Sequence, residues 1–235
     1  MPMTFDLSSD QAAAQARARE AAATFAALAG DIDASAQVPV SALKAVAALG
    51  LWEGQDRVAA MLMIEELAVA SPAVAVRGAL ALDGTPADLA GLRGVPRVPA
   101  PEPRHYLVMA AVCLGIGRAA LDEAIDVARV RNDRPAGEPS DPPHWVLADA
   151  ATEVAAARLL LQAAAADGGI PAPAVMVHAA AAAGRAVDAA VRIVGPDACR
   201  PGSGLERGAR DARAAWLILG TEDDARRAAA DALLA

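Results

Sequence analysis

Alanine fills about 66 of the 235 positions, far above ordinary globular usage. No other feature constrains the fold as strongly. Alanine has the highest helix propensity, and its single methyl group lets two helices approach closely. Aromatic residues make up only 3% of a chain that is 55% hydrophobic, and the alternating β-branched and aromatic runs that mark strands are nearly absent. An all-α fold is therefore expected. The length suits one or two domains and is ample for a core. Lys+Arg total 21 against Asp+Glu 29, a net charge of -8 in which Lys44 is the only lysine. Nucleic acid is excluded as a partner on this reading, because binding it needs a basic surface.

Other broad classes fall away in the same manner. No uninterrupted run of about 18 strongly apolar residues occurs, so no membrane partner or span is expected. The richest stretch, 175–183, is mostly alanine and contains His178. MPMTFDLSSD at the N-terminus has neither a basic n-region nor an apolar h-region, so it does not read as a signal peptide. Cys113 and Cys199 make neither a disulfide framework nor a metal-ligand spacing. That pattern fits a reduced, cytoplasmic protein.

Helix punctuation organises the chain. Ser8 and Gln11 have the spacing of a capping box, opening a helix over 9–29 that Gly30 is expected to stop. A second helix, 39–50, carries Leu43, Val46 and Leu49 on one face, with Gly50 as its stop. A third, 56–70, repeats Met61, Ile64 and Leu67 at helical spacing. Ser71-Pro72 reads as an N-cap followed by proline at the first position, opening a helix that Asp83-Gly84 ends. Between 85 and 104 stand Pro86, Pro96, Pro99, Pro101 and Pro103, which exclude a regular helix. Four further helices are expected over 105–131, 144–166, 172–194 and 221–234, with 195–208 as a Gly/Pro loop. Leu147, Val154 and Leu161 recur every seven residues, which suits antiparallel bundle packing.

No catalytic motif stands out from the residues themselves. Gly115-Ile-Gly117 and Gly202-Ser-Gly204 do not extend to a dinucleotide fingerprint. Glu65-Glu66 and Asp223-Asp224 are adjacent carboxylates, read as solvated charge because neighbours on a helix point in different directions. No Glu-x-x-His pair is present, so no metal is expected. His105, His144 and His178 are scattered and read as packed or surface side chains. Cys113, in the most apolar part of its helix, reads as an inert core thiol, and Cys199 as an exposed one.

At both ends the order of segments resembles the acyl-CoA dehydrogenase family. FDLSSDQ, VPVSALKAVAALGLW and MIEELAVASPAVAV are similar to its N-terminal helical domain. LGIGRAALDEAIDVARVR and LADAATEVAAARLLLQAA are similar to the first two helices of its C-terminal bundle. AVRIVGPDACRPGSGLERGARDARAAWLILGT resembles the stretch holding the adenine-binding loop, ERxxRDAR and the catalytic Glu-Gly-Thr. The resemblance covers 1–82 and 105–235. It implies an N-terminal helical region at 1–84, a proline-rich linker at 85–104 in place of the family's β-domain, and a C-terminal four-helix bundle at 105–235.

The resemblance also locates what is lost. Leu219 stands where the family's glutamate abstracts a proton, directly before Gly220-Thr221. The alternative base position, used by some branched-chain members, falls on His105, followed by Tyr106 in place of the usual arginine. Of the family's R-x-x-F-G, only Arg131 remains, since Arg134 and Pro135 fill the next two motif positions. Of the adenine-binding Q-x-x-G-G, Arg192 replaces glutamine, Gly195 is kept and Pro196 replaces the second glycine. Arg131, Arg192, Gly195, Gly220 and Thr221 are the candidate cofactor contacts, and His105 the candidate catalytic residue. Glu206, Arg207, Arg210, Asp211 and Arg213 all match, and the family uses them structurally. A degenerate relative acting as a partner or scaffold subunit is the implied function, with no cofactor for the chain alone. The alternative is a flavin-dependent acyl-CoA dehydrogenase whose FAD and acyl-CoA thioester site is completed by a full-length partner. Either a homo-oligomer or a heteromer with such a partner is implied.

Overall fold

The computed structural model describes residues 6–35, 37–54, 56–81, 98, 100–132 and 144–234. No strand occurs among them, and the all-α expectation holds. The N-terminal helices are α1 (Ser9–Ala23), α2 (Ala29–Ser35), α3 (Val40–Ala47), α4 (Arg57–Ala70) and α5 (Pro72–Ala81). The C-terminal ones are α6 (Pro103–Asn132), α7 (His144–Asp167), α8 (Ala172–Val194), α9 (Gly204–Leu219) and α10 (Glu222–Leu234). Asp83, Gly84, most of the proline-rich segment, Arg134 and Pro135 lie outside the described residues.

Caps set the helix starts where the sequence places them. Ser8 Oγ accepts from the Gln11 N–H at 3.2 Å while Gln11 Oε1 accepts from the Ser8 N–H at 3.0 Å. Asp56 caps α4 by accepting from the Ala59 N–H at 3.0 Å, and Ser71 separates α4 from α5. Two expectations fail at helix ends. Gly30 lies inside α2 and stops nothing, because α1 has already ended near Thr24, whose hydroxyl donates to the Ala21 carbonyl at 2.6 Å. The expected loop at 195–208 is a 3-10 turn, Gly195–Cys199, followed by the start of α9, which Ser203 caps by accepting from the Glu206 N–H at 3.0 Å. Glycine at the first helical position masked that start.

α6 and α8 form the long central pair of the bundle, with α7 and α9 packed on both and α10 laid against α8. Val154 and Leu161 are buried and Leu147 half-buried, so the seven-residue repeat marks the face of α7 that meets them. The stretch Ala172–Cys199 is long and apolar enough by composition to cross a membrane. Its place in the bundle, among α6, α7, α9 and α10, accounts for that composition. α4 is covered by α1 on one side and α6 on the other, so most of its surface is buried.

Small residues set the spacing. α1 meets α4 through Ala14, Ala18 and Ala22. Gly115 lets α6 cross α4: a methyl there would stand 2.5 Å from Ala68 Cβ and 2.7 Å from the Glu65 carbonyl oxygen. Gly117 does the same towards α8, 3.1 Å from Ala183 Cα. The Gly-Ile-Gly pair is a helix crossing.

Glu65 and Glu66 overturn the reading of solvated charge: they are only 1% and 2% exposed. Both project between helices because α4 is covered on two sides. Arg158 of α7 reaches Glu65 with Nη2 at 2.6 Å, and Arg118 of α6 reaches Glu65 at 3.0 Å and Glu66 at 2.9 Å. From α1, Arg19 and Gln15 each donate to Glu66 at 2.9 Å. Burial alone would raise the Glu66 carboxyl, but Arg118 and Arg19 hold it below the usual carboxylate range.

Three outcomes follow for stability. Arg118→Ala should lower the unfolding free energy by about 3 kcal/mol in urea titrations, since it leaves a buried carboxylate underpaired. Glu66 has a lower pKa folded than unfolded, so its stabilisation is present above the ordinary carboxylate range and lost as pH falls through the folded value. Glu66→Gln should accordingly flatten the acid limb of the stability profile. Gly115→Ala should cost about 1–3 kcal/mol by overpacking the crossing, measured in the same titrations.

Candidate functional site

Two groups of the singled-out residues lie at opposite ends of α6. At its start, His105 is buried at 7% exposure, and its Nδ1 accepts from the Glu102 N–H at 2.8 Å. Backbone N–H groups only donate, so the neutral ring carries its proton on Nε2. Tyr106 is also buried, and burial together with the negative charge of Asp224 raises its hydroxyl pKa. That influence brings the start of α6 to the α9–α10 junction. Val98 also reaches this junction, donating to the Ile218 carbonyl at 2.8 Å.

At the junction Leu219 ends α9 with 6% exposure, in the apolar core. Gly220 follows with φ 134, a conformation that side chains rarely adopt. Thr221 caps α10: its Oγ1 accepts from the Asp224 N–H at 3.1 Å, and Asp224 Oδ2 accepts from the Thr221 N–H at 2.9 Å. Asp224 is therefore a capping residue, and its hydroxyl partner is occupied.

The second group sits 26 residues further along α6, about 39 Å at 1.5 Å per residue. Arg131 donates to the Ile193 carbonyl and, at 3.1 Å, to the Val194 carbonyl. Those are the last carbonyls of α8, which have no intrahelical donor, so the guanidinium closes that helix end. Arg192 is exposed in the same last turn. Gly195 takes φ 81 with open space where a Cβ would stand. Arg131, Arg192 and Gly195 therefore cluster at one helix end, remote from His105, Leu219, Gly220 and Thr221.

A separate cavity of about 240 Å³ opens between α2, the α4–α5 junction, α6 and the first turns of α9. Ile32, Ala68, Ile116 and Leu205 give it apolar walls, and Asp33, Glu123, Arg207 and Asp211 supply its charge. Arg210 pairs with Asp33 at 2.8 Å and Glu206 at 2.6 Å, tying α9 to α2. Burial, then the charge of Asp33, pushes the Asp211 carboxyl up to about 7. Sequence reasoning missed this site, since its carboxylates come from three distant helices. The only signal was the matched ERxxRDAR stretch, read as structural. Cys113 is fully buried, with its thiol pushed up to about 12 by desolvation, and Cys199 is exposed. No cluster of three or more metal-capable side chains occurs among the described residues.

Comparison with known proteins places these elements. The model of the acyl-CoA dehydrogenase C-terminal domain matches residues 106–234, more than half of the chain. No curated protein matches. Among solved structures, butyryl-CoA dehydrogenase from Megasphaera elsdenii aligns with a TM-score of 0.79 at 15% identity, over 99% of this chain and 100% of that one. The acyl-CoA dehydrogenase from Slackia heliotrinireducens DSM 20476 gives 0.78 at 14% identity, over 100% and 98%. A chain from the electron transferring flavoprotein structure of Acidaminococcus fermentans gives 0.78 at 16% identity, over 99% and 100%. At these identities the structural matches establish a shared fold. With the sequence model extending from the second residue after Arg104 to the last turn of α10, the chain belongs to the acyl-CoA dehydrogenase family.

Proposed function

We propose that this chain is a catalytically silent partner or scaffold subunit, working in the cytoplasm as a homo-oligomer or beside a full-length acyl-CoA dehydrogenase. Leu219 carries the reading. It precedes Gly220-Thr221 where the resemblance places the proton-abstracting glutamate, and its side chain is buried in the core. An alkyl group accepts no proton, so abstraction at that position has no base. His105 does not replace it through Nδ1, whose lone pair the Glu102 N–H occupies. Arg131 is committed to the α8 carbonyls. Trp145 on α7 and Leu217 on α9, 62% and 65% exposed, leave apolar surface for a partner subunit.

A second reading, a flavin site completed by a full-length partner, is favoured by Gly195. Its positive φ and the open space above its Cα keep that backbone accessible to a cofactor. FAD would then be held jointly, with Arg192 beside Gly195 on this chain.

The purified chain should be colourless, with no flavin absorbance band; a yellow preparation overturns the proposal. Co-expression with a full-length family member should give a stable complex by native mass in which this chain adds no dye reduction with acyl-CoA. Dye reduction by the pair that is lost in His105→Ala would instead establish the second reading. Leu219→Glu should give no dehydrogenase activity to the chain alone and should destabilise it by about 2 kcal/mol or more in urea titrations, because the new carboxylate is buried without a partner.

A further inference from the structure

The cavity between α2, the α4–α5 junction, α6 and α9 is distinct from every residue the family resemblance singled out for catalysis or cofactor contact. Leu219 ends α9, whereas the cavity is lined from its first turns by Gly204, Leu205, Arg207, Gly208 and Asp211. Along a 16-residue helix that is a separation of more than one turn from even the nearest of them.

We propose that this cavity binds a small organic cation, with an ammonium or guanidinium group among Asp33, Glu123 and Asp211 and a short aliphatic body against Ile32 and Ile116. Charge selects the sign of the ligand. Of the charged side chains that line the cavity, Asp33 from α2, Glu123 from α6 and Asp211 from α9 are acidic, and Arg207 is basic. Arg210 is already engaged by Asp33 and Glu206, and Arg207 donates to the Gly202 carbonyl at 2.7 Å. Among the described residues, three lining carboxylates therefore face one guanidinium. Asp211 makes no hydrogen bond or ion pair among the described residues. Such a site repels phosphates and carboxylates, so it does not serve a coenzyme A moiety.

Shape selects the rest. The carboxylates come from three elements and do not form a metal-binding cluster, which favours a ligand with extent over a bare ion. Glycine at 204 admits Glu123 to the rim: a Cβ there would lie 2.9 Å from Glu123 Oε2. The volume of about 240 Å³ holds about eight water-sized groups at roughly 30 Å³ each, which suits a short alkylamine.

Protonation adds a signature. Without ligand the Asp211 carboxyl titrates at about 7, raised by burial, by Asp33 and by Glu206, and lowered by Arg210 and Arg207. A bound cation favours the carboxylate, so binding releases a proton and tightens as pH rises through that value.

The test titrates the full chain with n-butylammonium chloride, sodium butyrate and n-butanol, by calorimetry or chemical-shift change, one pH unit below and one above the Asp211 value. Butylammonium should bind saturably and up to about tenfold more tightly at the higher pH, following the ionised fraction of one carboxylate. Butyrate and butanol should not bind. Asp211→Asn should weaken binding about tenfold at the higher pH and abolish the pH dependence, while keeping the fold because it removes only an unpaired charge. Ala119→Leu, which keeps every carboxylate but fills the space, should abolish binding. Equal binding of butanol, undiminished binding to Ala119→Leu, or no saturable binding of butylammonium would each overturn the proposal. If either other variant fails to fold, Glu123→Gln should weaken butylammonium binding from α6 while leaving the pH dependence carried by Asp211, and undiminished binding to it would overturn the proposal.

Discussion

The pair of carboxylates at Glu65 and Glu66 is the junction on which the assembly of helices depends. One short stretch of α4 receives Arg19 and Gln15 from α1, Arg118 from α6 and Arg158 from α7. Four helices, two from each half of the chain, thus share one buried ionic cluster. Desolvating two adjacent carboxylates is costly, and the arrangement is stable only because the arginines approach together and supply several donors each. Loss of one partner would leave charge uncompensated in a place where water does not reach. A second link, Arg210 with Asp33 and Glu206, joins α9 to α2 in a less buried setting.

These ion pairs form at short range because the helices come close. Gly115 removes the atom that would hold α6 away from α4 beside Glu65 itself, so the crossing and the ionic cluster are one structural unit. Alanine has the same role elsewhere, in the Ala14, Ala18 and Ala22 stripe of α1 and along α8. Close approach also leaves gaps where small side chains meet no neighbour. The cavity bordered by Ala68, Ala119 and Ala120 is such a gap, given charge by three helices that each contribute one carboxylate.

Residues that hold helices to one another persist and are engaged: Arg210 pairs across elements, and Arg131 closes the end of α8. Leu219, at the position where the resemblance implies a base, is buried, and His105 Nδ1 accepts from the Glu102 N–H. Arg131 illustrates how one residue serves the fold at a place where the resemblance implies a cofactor contact. Its two donors satisfy carbonyls at the end of α8 that have no partner within that helix.

Local chemistry made much of the fold legible in advance. Ser8 with Gln11, Asp56, Ser71 and Thr221 with Asp224 signal helix starts through groups within three residues of one another, and each forms as its spacing implies. The periodicity of Met61, Ile64 and Leu67 and of Val154 and Leu161 marks buried faces for the same reason. The start of α9 was hidden because Gly204 resembles a loop residue and its cap lies in a Gly/Pro-rich stretch. Composition and spacing by themselves determined that this chain is helical and where most helices begin, and the family resemblance singled out Leu219. Only the tertiary structure decided that Glu65 and Glu66 are buried, that Gly115 is a crossing point, and that Asp33, Glu123 and Asp211 share a cavity. Those outcomes depend on which faces of distant helices meet, and burial and charge pairing between them are properties of the packed assembly that no local run of residues contains.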